Sequence, residues 1–297
     1  MRIAFVFPGQ GSQSVGMLSG FAGNETVAGV MARADEALGF SLTGLIAEGP
    51  AETLSLTVNT QPAMLASSVA FYEAWLAAGG RTPEMMAGHS LGEYSALCAA
   101  GAMSLETAVR LVRFRAEAMQ SAVPVGVGGM AAVIGLADDD VEAAVAEARE
   151  TGRVEAVNFN APGQVVIAGE KAAVARAIEL PVSAPFHSSL MQPAADKLAA
   201  RLVETEIQVP AIPVIANIDV EVHETPDAIR EALARQAAGA VQWVRTIERM
   251  KAAGITDIVE CGPGKVLTGL LRRTAPEING HNIFDAASLA AVLEKLN

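Results

Sequence analysis

The chain is short of aromatics, cysteine and positive charge. Aromatic residues fill 4% of its 297 positions, cysteine occurs 2 times, and 21 Lys and Arg stand against 33 Asp and Glu, a net charge of -12. Each shortage excludes a class of protein. Cys98 and Cys261 lie in apolar-flanked segments without metal-ligand spacing, so they suggest neither a disulfide framework nor a zinc site and read as reduced thiols. A pI near 4.8 argues against general nucleic-acid binding, which favours a basic footprint. Long hydrophobic runs are missing as well: none approaches the roughly 18 apolar residues of a membrane helix. The first apolar stretch, Ile3 to Phe7, is broken by Pro8-Gly9-Gln10-Gly11 after one strand length, so no export signal is read and a soluble, cytoplasmic protein is expected.

What is present is an alternation of short β-rich runs with longer Ala/Leu segments at helical spacing, the pattern of an α/β protein with a parallel central sheet. At roughly 100–200 residues per domain, the length suits one large domain or a domain carrying an insertion. Strands are predicted at 3–7, 84–87, 214–217 and 255–260, and helices at 60–78, 90–100, 104–122, 188–205, 227–238 and 244–253. Between Val125 and Ala184 the rhythm changes. Strands at 130–136, 154–159, 164–168 and 181–184 with helices at 138–149 and 170–178 spell βαββαβ, the ferredoxin-like unit. A small subdomain is therefore expected at residues 126–185, inserted in a body made of 1–125 and 186–297, with a ligand cleft between them.

The sharpest local signal is Gly88-His89-Ser90-Leu91-Gly92, a Gly-x-Ser-x-Gly between a predicted strand and a predicted helix. Such a nucleophile elbow needs small residues on both sides of the serine, because the strand-to-helix turn leaves no room for a Cβ. The N–H of Leu91, first in the new helix, would face a developing oxyanion. A serine nucleophile also needs a base, and the chain has 4 histidines. His89 should point away from Ser90 on an extended strand, His223 lies in a polar loop and His281 in a terminal connection. His187 remains, at the exit from the small subdomain, although a loop histidine is commonly just a solvated side chain.

A second glycine-rich loop, Phe7-Pro8-Gly9-Gln10-Gly11-Ser12-Gln13, follows the first strand and should neighbour the elbow, since loops beyond the carboxyl ends of strands line the crevice of an open α/β sheet. It could donate a second N–H to the oxyanion, or be simply a tight turn. Arg110, Arg113 and Arg115 interrupt the apolar face of the 104–122 helix, and Arg115 cannot share one face with both others. An arginine turned inward needs an anion; one turned outward would snorkel.

Six separated motifs in a fixed order then carry a resemblance. They are Phe7 to Gln13, Gly88 to Tyr94, Val157 to Gln164, Ser183 to His187, Val241-Gln242-Trp243, and Gly262-Pro263-Gly264-Lys265-Val266-Leu267. With these the chain resembles, over essentially its whole length, the malonyl-CoA:acyl carrier protein transacylases, the stand-alone acyltransferases of fatty-acid synthesis. The resemblance implies a hydrolase-like α/β body with a ferredoxin-like insertion. It also implies Ser90 as the acylated nucleophile, His187 as its base, the N–H groups of Gln10 and Leu91 as oxyanion hole, and Arg115 as the malonyl carboxylate's partner. The backbone carbonyl of Gln242 would orient His187, and Asn160 would neighbour the site. Phe186, before the histidine, points to unbranched malonyl rather than methylmalonyl. Ala240 stands where many members have Pro and bears on a turn more than on the chemistry.

The implied partners are coenzyme A thioesters and acyl carrier protein, acting on a monomer without cofactor or metal. Three other readings compete: an acyl-thioester hydrolase, which has no use for a carboxylate-binding arginine; a catalytically silent carrier-protein docking module; and a transacylase serving a polyketide synthase in trans. Both implied substrates are anions, so the acidic excess should lie away from the cleft mouth, with Lys265, Arg272 and Arg273 as candidates for the docking patch.

Overall fold

A computed structural model of the chain describes residues 1–124, 126–174, 178–179 (backbone only) and 184–297. Its strands are β1 (Ile3–Phe7), β2 (Met85–Gly88), β3 (Gly128–Ile134), β4 (Val154–Ala161), β5 (Gln164–Glu170), β6 (Ile178–Glu179), β7 (Val214–Ile215), β8 (Asp257–Cys261) and β9 (Asn279–Ile283). Five of them form one parallel sheet in the order β7-β2-β1-β8-β9. Its central strand, Ile-Ala-Phe-Val-Phe, is apolar at every position because helices cover both faces, and all five residues are buried. On one face Phe5 and Phe7 meet Tyr72 from the helix Thr57–Ala77; on the other, Ala4 and Val6 join Trp243, Ile247 and Leu271.

β3 to β6 make a second, antiparallel sheet in the order β4-β5-β3-β6, with the helix Asp138–Ala148 between β3 and β4. Numbered within this unit the order is 2-3-1-4, the ferredoxin-like arrangement. The last strand is a correction: it is β6, Ile178–Glu179, where the expected helix 170–178 should end, and Ala184 of the expected strand 181–184 is not in a strand, while 181–183 and, in the helix, 175–177 lie outside the described residues; of that helix Lys171–Val174 is seen. The unit is stitched to the body. Val241 donates to the Val157 carbonyl at 2.8 Å and accepts from Phe159 N–H at 3.0 Å, while Arg273 reaches Gln164 and the Pro162 carbonyl.

The strand at 3–7 and the long helices fall where the sequence places them: Thr57–Ala77, Leu91–Ala99, Leu105–Ala122, Pro226–Ala237 and Trp243–Ala252. The expected helix 188–205 is a 3-10 turn, Ser189–Met191, followed by a helix, Gln192–Val203. Further elements were not anticipated, among them the helices Glu25–Leu38, Val266–Thr274 and Ala286–Leu296 and the edge strand β9.

Candidate active site

The carboxyl ends of β1, β2 and β7 converge on the elbow. A Cβ on Gly88 would overlap the main chain of Gly92, and one on Gly92 would overlap the Phe7 carbonyl of β1, so both positions are confined to glycine. The turn leaves Ser90 at φ 53°, ψ -108°. His187 is held at φ 64°. Among the described residues only Ser90, His187 and Val220 combine a side chain with positive φ, so two of the three strained positions are in the site. Asn217, just past β7, secures the turn by accepting from Ser90 N–H at 2.6 Å and donating to the Gly88 carbonyl at 2.7 Å.

Ser90 Oγ lies 2.6 Å from His187 Nε2, and His187 Nδ1 lies 2.9 Å from the carbonyl of Gln236. A carbonyl can only accept, so Nδ1 carries the proton and Nε2 is left to accept from the hydroxyl. Burial, reinforced by the nearby charge of Arg115 and opposed by the Gln236 carbonyl, pushes the imidazole pKa down to about 3. It is therefore neutral at pH 7 and competent as a base.

Arg115 is buried beside this pair. Its Nη2 donates to Ser90 Oγ at 3.3 Å and to Gln236 Oε1 at 3.0 Å, and its Nη1 to Gln61 Oε1 at 3.0 Å. These partners are neutral, and the buried Nε–H has none among the described residues. A cavity of about 140 Å³ connects the groups, lined by Gln10, Ser90, Leu91, Arg115, Phe186 and His187, with Met130 and Asn158 contributed by the small sheet. A serine, a neutral histidine oriented through Nδ1, and a cation with donors to spare surround one small chamber. That constellation suits acyl transfer of a group bearing a carboxylate.

Residues 4–294 match the acyl transferase domain. The chain belongs to the acyl transferase family. It is 49% identical to the malonyl CoA-acyl carrier protein transacylase of Escherichia coli (strain K12), with 99% of both chains covered. Among solved structures, the acyl-carrier-protein S-malonyltransferase of Burkholderia pseudomallei 1710b is 55% identical with a TM-score of 0.98, covering 99% of this chain and 100% of that one. A malonyl-transacylase in complex with its type II polyketide acyl-carrier protein is 45% identical with a TM-score of 0.98, again covering 99% and 100%.

In this acyl transferase the geometry brings together Ser90, His187, Arg115, Gln10, Leu91 and Phe186, as the sequence suggests. Gln242 is a correction. Its carbonyl accepts from Thr246 N–H and Oγ1, both at 3.0 Å, as the cap of the helix Trp243–Ala252. The carbonyl that orients His187 belongs instead to Gln236, in the last turn of the helix Pro226–Ala237, past the point where an i+4 helical N–H could take it; it also receives the N–H groups of Ala238 and, at 3.5 Å, Gly239. Asn160 lies within β4, which runs past the predicted end at 159, and its Oδ1 is 2.7 Å from Nε2 of His89, whose ring packs on Trp243 with centroids 5.5 Å apart. It braces the elbow's histidine and does not line the chamber.

Sequence reasoning missed Gln61, Glu93, Asn217 and Gln236. Glu93 is buried behind the elbow, accepts from Asn217 N–H at 3.0 Å and Gln236 Nε2 at 2.8 Å, and is pushed by burial up to about 7. A carboxylate in the motif's own helix was a legible hint. Nothing local marks the two glutamines or the asparagine.

Proposed function

We propose that the chain moves a malonyl group from malonyl-CoA to the phosphopantetheine thiol of acyl carrier protein through a malonyl ester on Ser90. Ser90 Oγ gives its proton to His187 Nε2 and attacks the thioester carbonyl. The oxyanion is met by the N–H groups of Gln10 and Leu91, each such donor being worth roughly 10²–10³ in rate. As the intermediate collapses, the C–S bond breaks and the imidazolium returns the proton to the departing coenzyme A thiolate. The carrier thiol then repeats these steps in reverse order on the ester, releasing Ser90. One thioester is exchanged for another, so the chemistry calls for no ATP, metal or redox cofactor. Phe186 narrows the chamber against branched acyl groups, and the described residues of the 126–185 subdomain close one side of it through Met130 and Asn158. The working location is the cytoplasm, and the working form a monomer.

The observation that carries this reading is Arg115: a buried guanidinium touching the nucleophile, partnered by neutral oxygens and holding a free Nε–H. An acyl-thioester hydrolase has no use for it, whereas a malonyl carboxylate supplies its missing anion. Arg115→Ala should lose about 2–5 kcal/mol of transition-state binding with malonyl-CoA. Acetyl-CoA should suffer far less. Equal losses in kcat/KM on the two thioesters would refute the clamp.

A further inference from the structure

Gln236 meets the site with three groups. Its main-chain carbonyl takes the proton of His187 Nδ1. Its side-chain Oε1 accepts from Arg115 Nη2 at 3.0 Å. Its Nε2 donates to the Ser90 carbonyl at 2.9 Å and to Glu93 Oε2 at 2.8 Å. The side chain is completely buried, so an amide turned end for end would face donor to donor and acceptor to acceptor with no water to relieve it. The Ser90 carbonyl only accepts and a guanidinium only donates, so these two neighbours dictate which way the amide points. Glu93 is itself fixed, because the same oxygen that receives Gln236 also receives Asn217 N–H, and Asn217 grips Ser90 N–H and the Gly88 carbonyl. A continuous chain of hydrogen bonds thus runs from the elbow through Glu93 and the Gln236 amide to the guanidinium.

We propose that the side chain of Gln236, anchored by Glu93, is a positioning residue that aims Arg115 at the acyl carboxylate and so sets the preference for carboxylated acyl groups. The proposal rests on the reading of Arg115 given above. It splits Gln236 in two: the carbonyl serves every acyl group through His187 and survives any side-chain substitution, while the amide serves only acyl groups that use Arg115. Glu93 stands one amide away from Arg115 and anchors that amide without occupying the donors a substrate needs. A direct Arg115–carboxylate pair would occupy them.

The test is the ratio of kcat/KM for malonyl-CoA to that for acetyl-CoA in wild type, Gln236→Leu, Gln236→Glu and, as reference, Arg115→Ala. Gln236→Leu removes the aim, and the isosteric Gln236→Glu would pair Arg115 directly and neutralise it. Each should lower the ratio by about tenfold or more, the worth of a buried hydrogen bond to a charged group, with the loss concentrated on malonyl-CoA and largely in KM. A proportional fall on both thioesters would mean that Gln236 merely holds the site together, and a ratio within about twofold of wild type would mean that its amide is idle; either overturns the proposal. Should Gln236→Leu fail to fold, Gln236→Glu alone decides. If Arg115→Ala leaves the ratio unchanged, the clamp itself has failed, a result distinct from failure of Gln236 alone.

Discussion

A histidine set between a guanidinium and a main-chain carbonyl, out of water, resists protonation. The folded pKa of His187, about 3, lies below the ordinary value of 6.5. The base is lost only as pH falls through that depressed value, so acylation of Ser90 should keep its rate well below pH 6.5, where an exposed histidine would be half protonated. Single-turnover acylation by acetyl-CoA, followed against pH, reads this directly. Part of the depression comes from Arg115, so Arg115→Ala should move the acid limb upward. An acid limb at or above 6.5 in wild type contradicts the buried-base description. Glu93, pushed up to about 7, is the group in the network that titrates near neutrality, so the limb that belongs to His187 is the one well below it.

At the scale of elements, the elbow depends on two main chains passing where no side chain fits. Gly92→Ala would drive a methyl into the Phe7 carbonyl of β1 and should cost about 1–3 kcal/mol or more in stability together with Ser90 acylation. Gly29→Ala, on the exposed side of the helix Glu25–Leu38 with open space around it, should instead gain about 0.5–1 kcal/mol. Thermal denaturation of the two variants checks the contrast, and a tolerated Gly92→Ala would refute the packing argument. The elbow was legible because its constraint is local: Gly88 collides with Gly92 four residues on. The first three strands of the βαββαβ unit were legible because each keeps its own apolar rhythm, whereas the last, two residues long at Ile178–Glu179, carries no rhythm to read. β9, Asn-Gly-His-Asn-Ile, was not, since its polar residues become a strand only by pairing along the whole of β8. The helix Glu25–Leu38 does carry a local cap signal, Asn24 accepting from Val27 N–H. That Gln236 rather than Gln242 meets His187 depends on where a helix ends and what that end faces, which a motif in the sequence does not encode.

Across the whole molecule, a net charge of -12 stands against two anionic substrates, and the expected resolution is that the acidic excess lies away from the cleft. At physiological salt the Debye length is about 8 Å, so the far side of the body is screened from the cleft. Of the three cations considered for carrier docking, Arg273 is engaged with Gln164 and the Pro162 carbonyl across the seam between the sheets, and Lys265 lies over the Phe284 ring, 4.3 Å from its centroid. Arg273 is thus a tie between body and subdomain, and Arg272, exposed on the same helix, is the cation of the three best placed to meet a partner. Among the described residues no helix is long and apolar enough to cross a membrane. The central claim is a covalent one, that malonyl passes through Ser90, and intact-mass analysis tests it most directly. Mixed with malonyl-CoA, the wild-type chain should gain the mass of one malonyl group and lose it again on adding acyl carrier protein that bears the phosphopantetheine thiol, while Ser90→Ala gains nothing. An adduct that persists in Ser90→Ala, or one that leaves to water as fast as to the carrier thiol, would contradict the account.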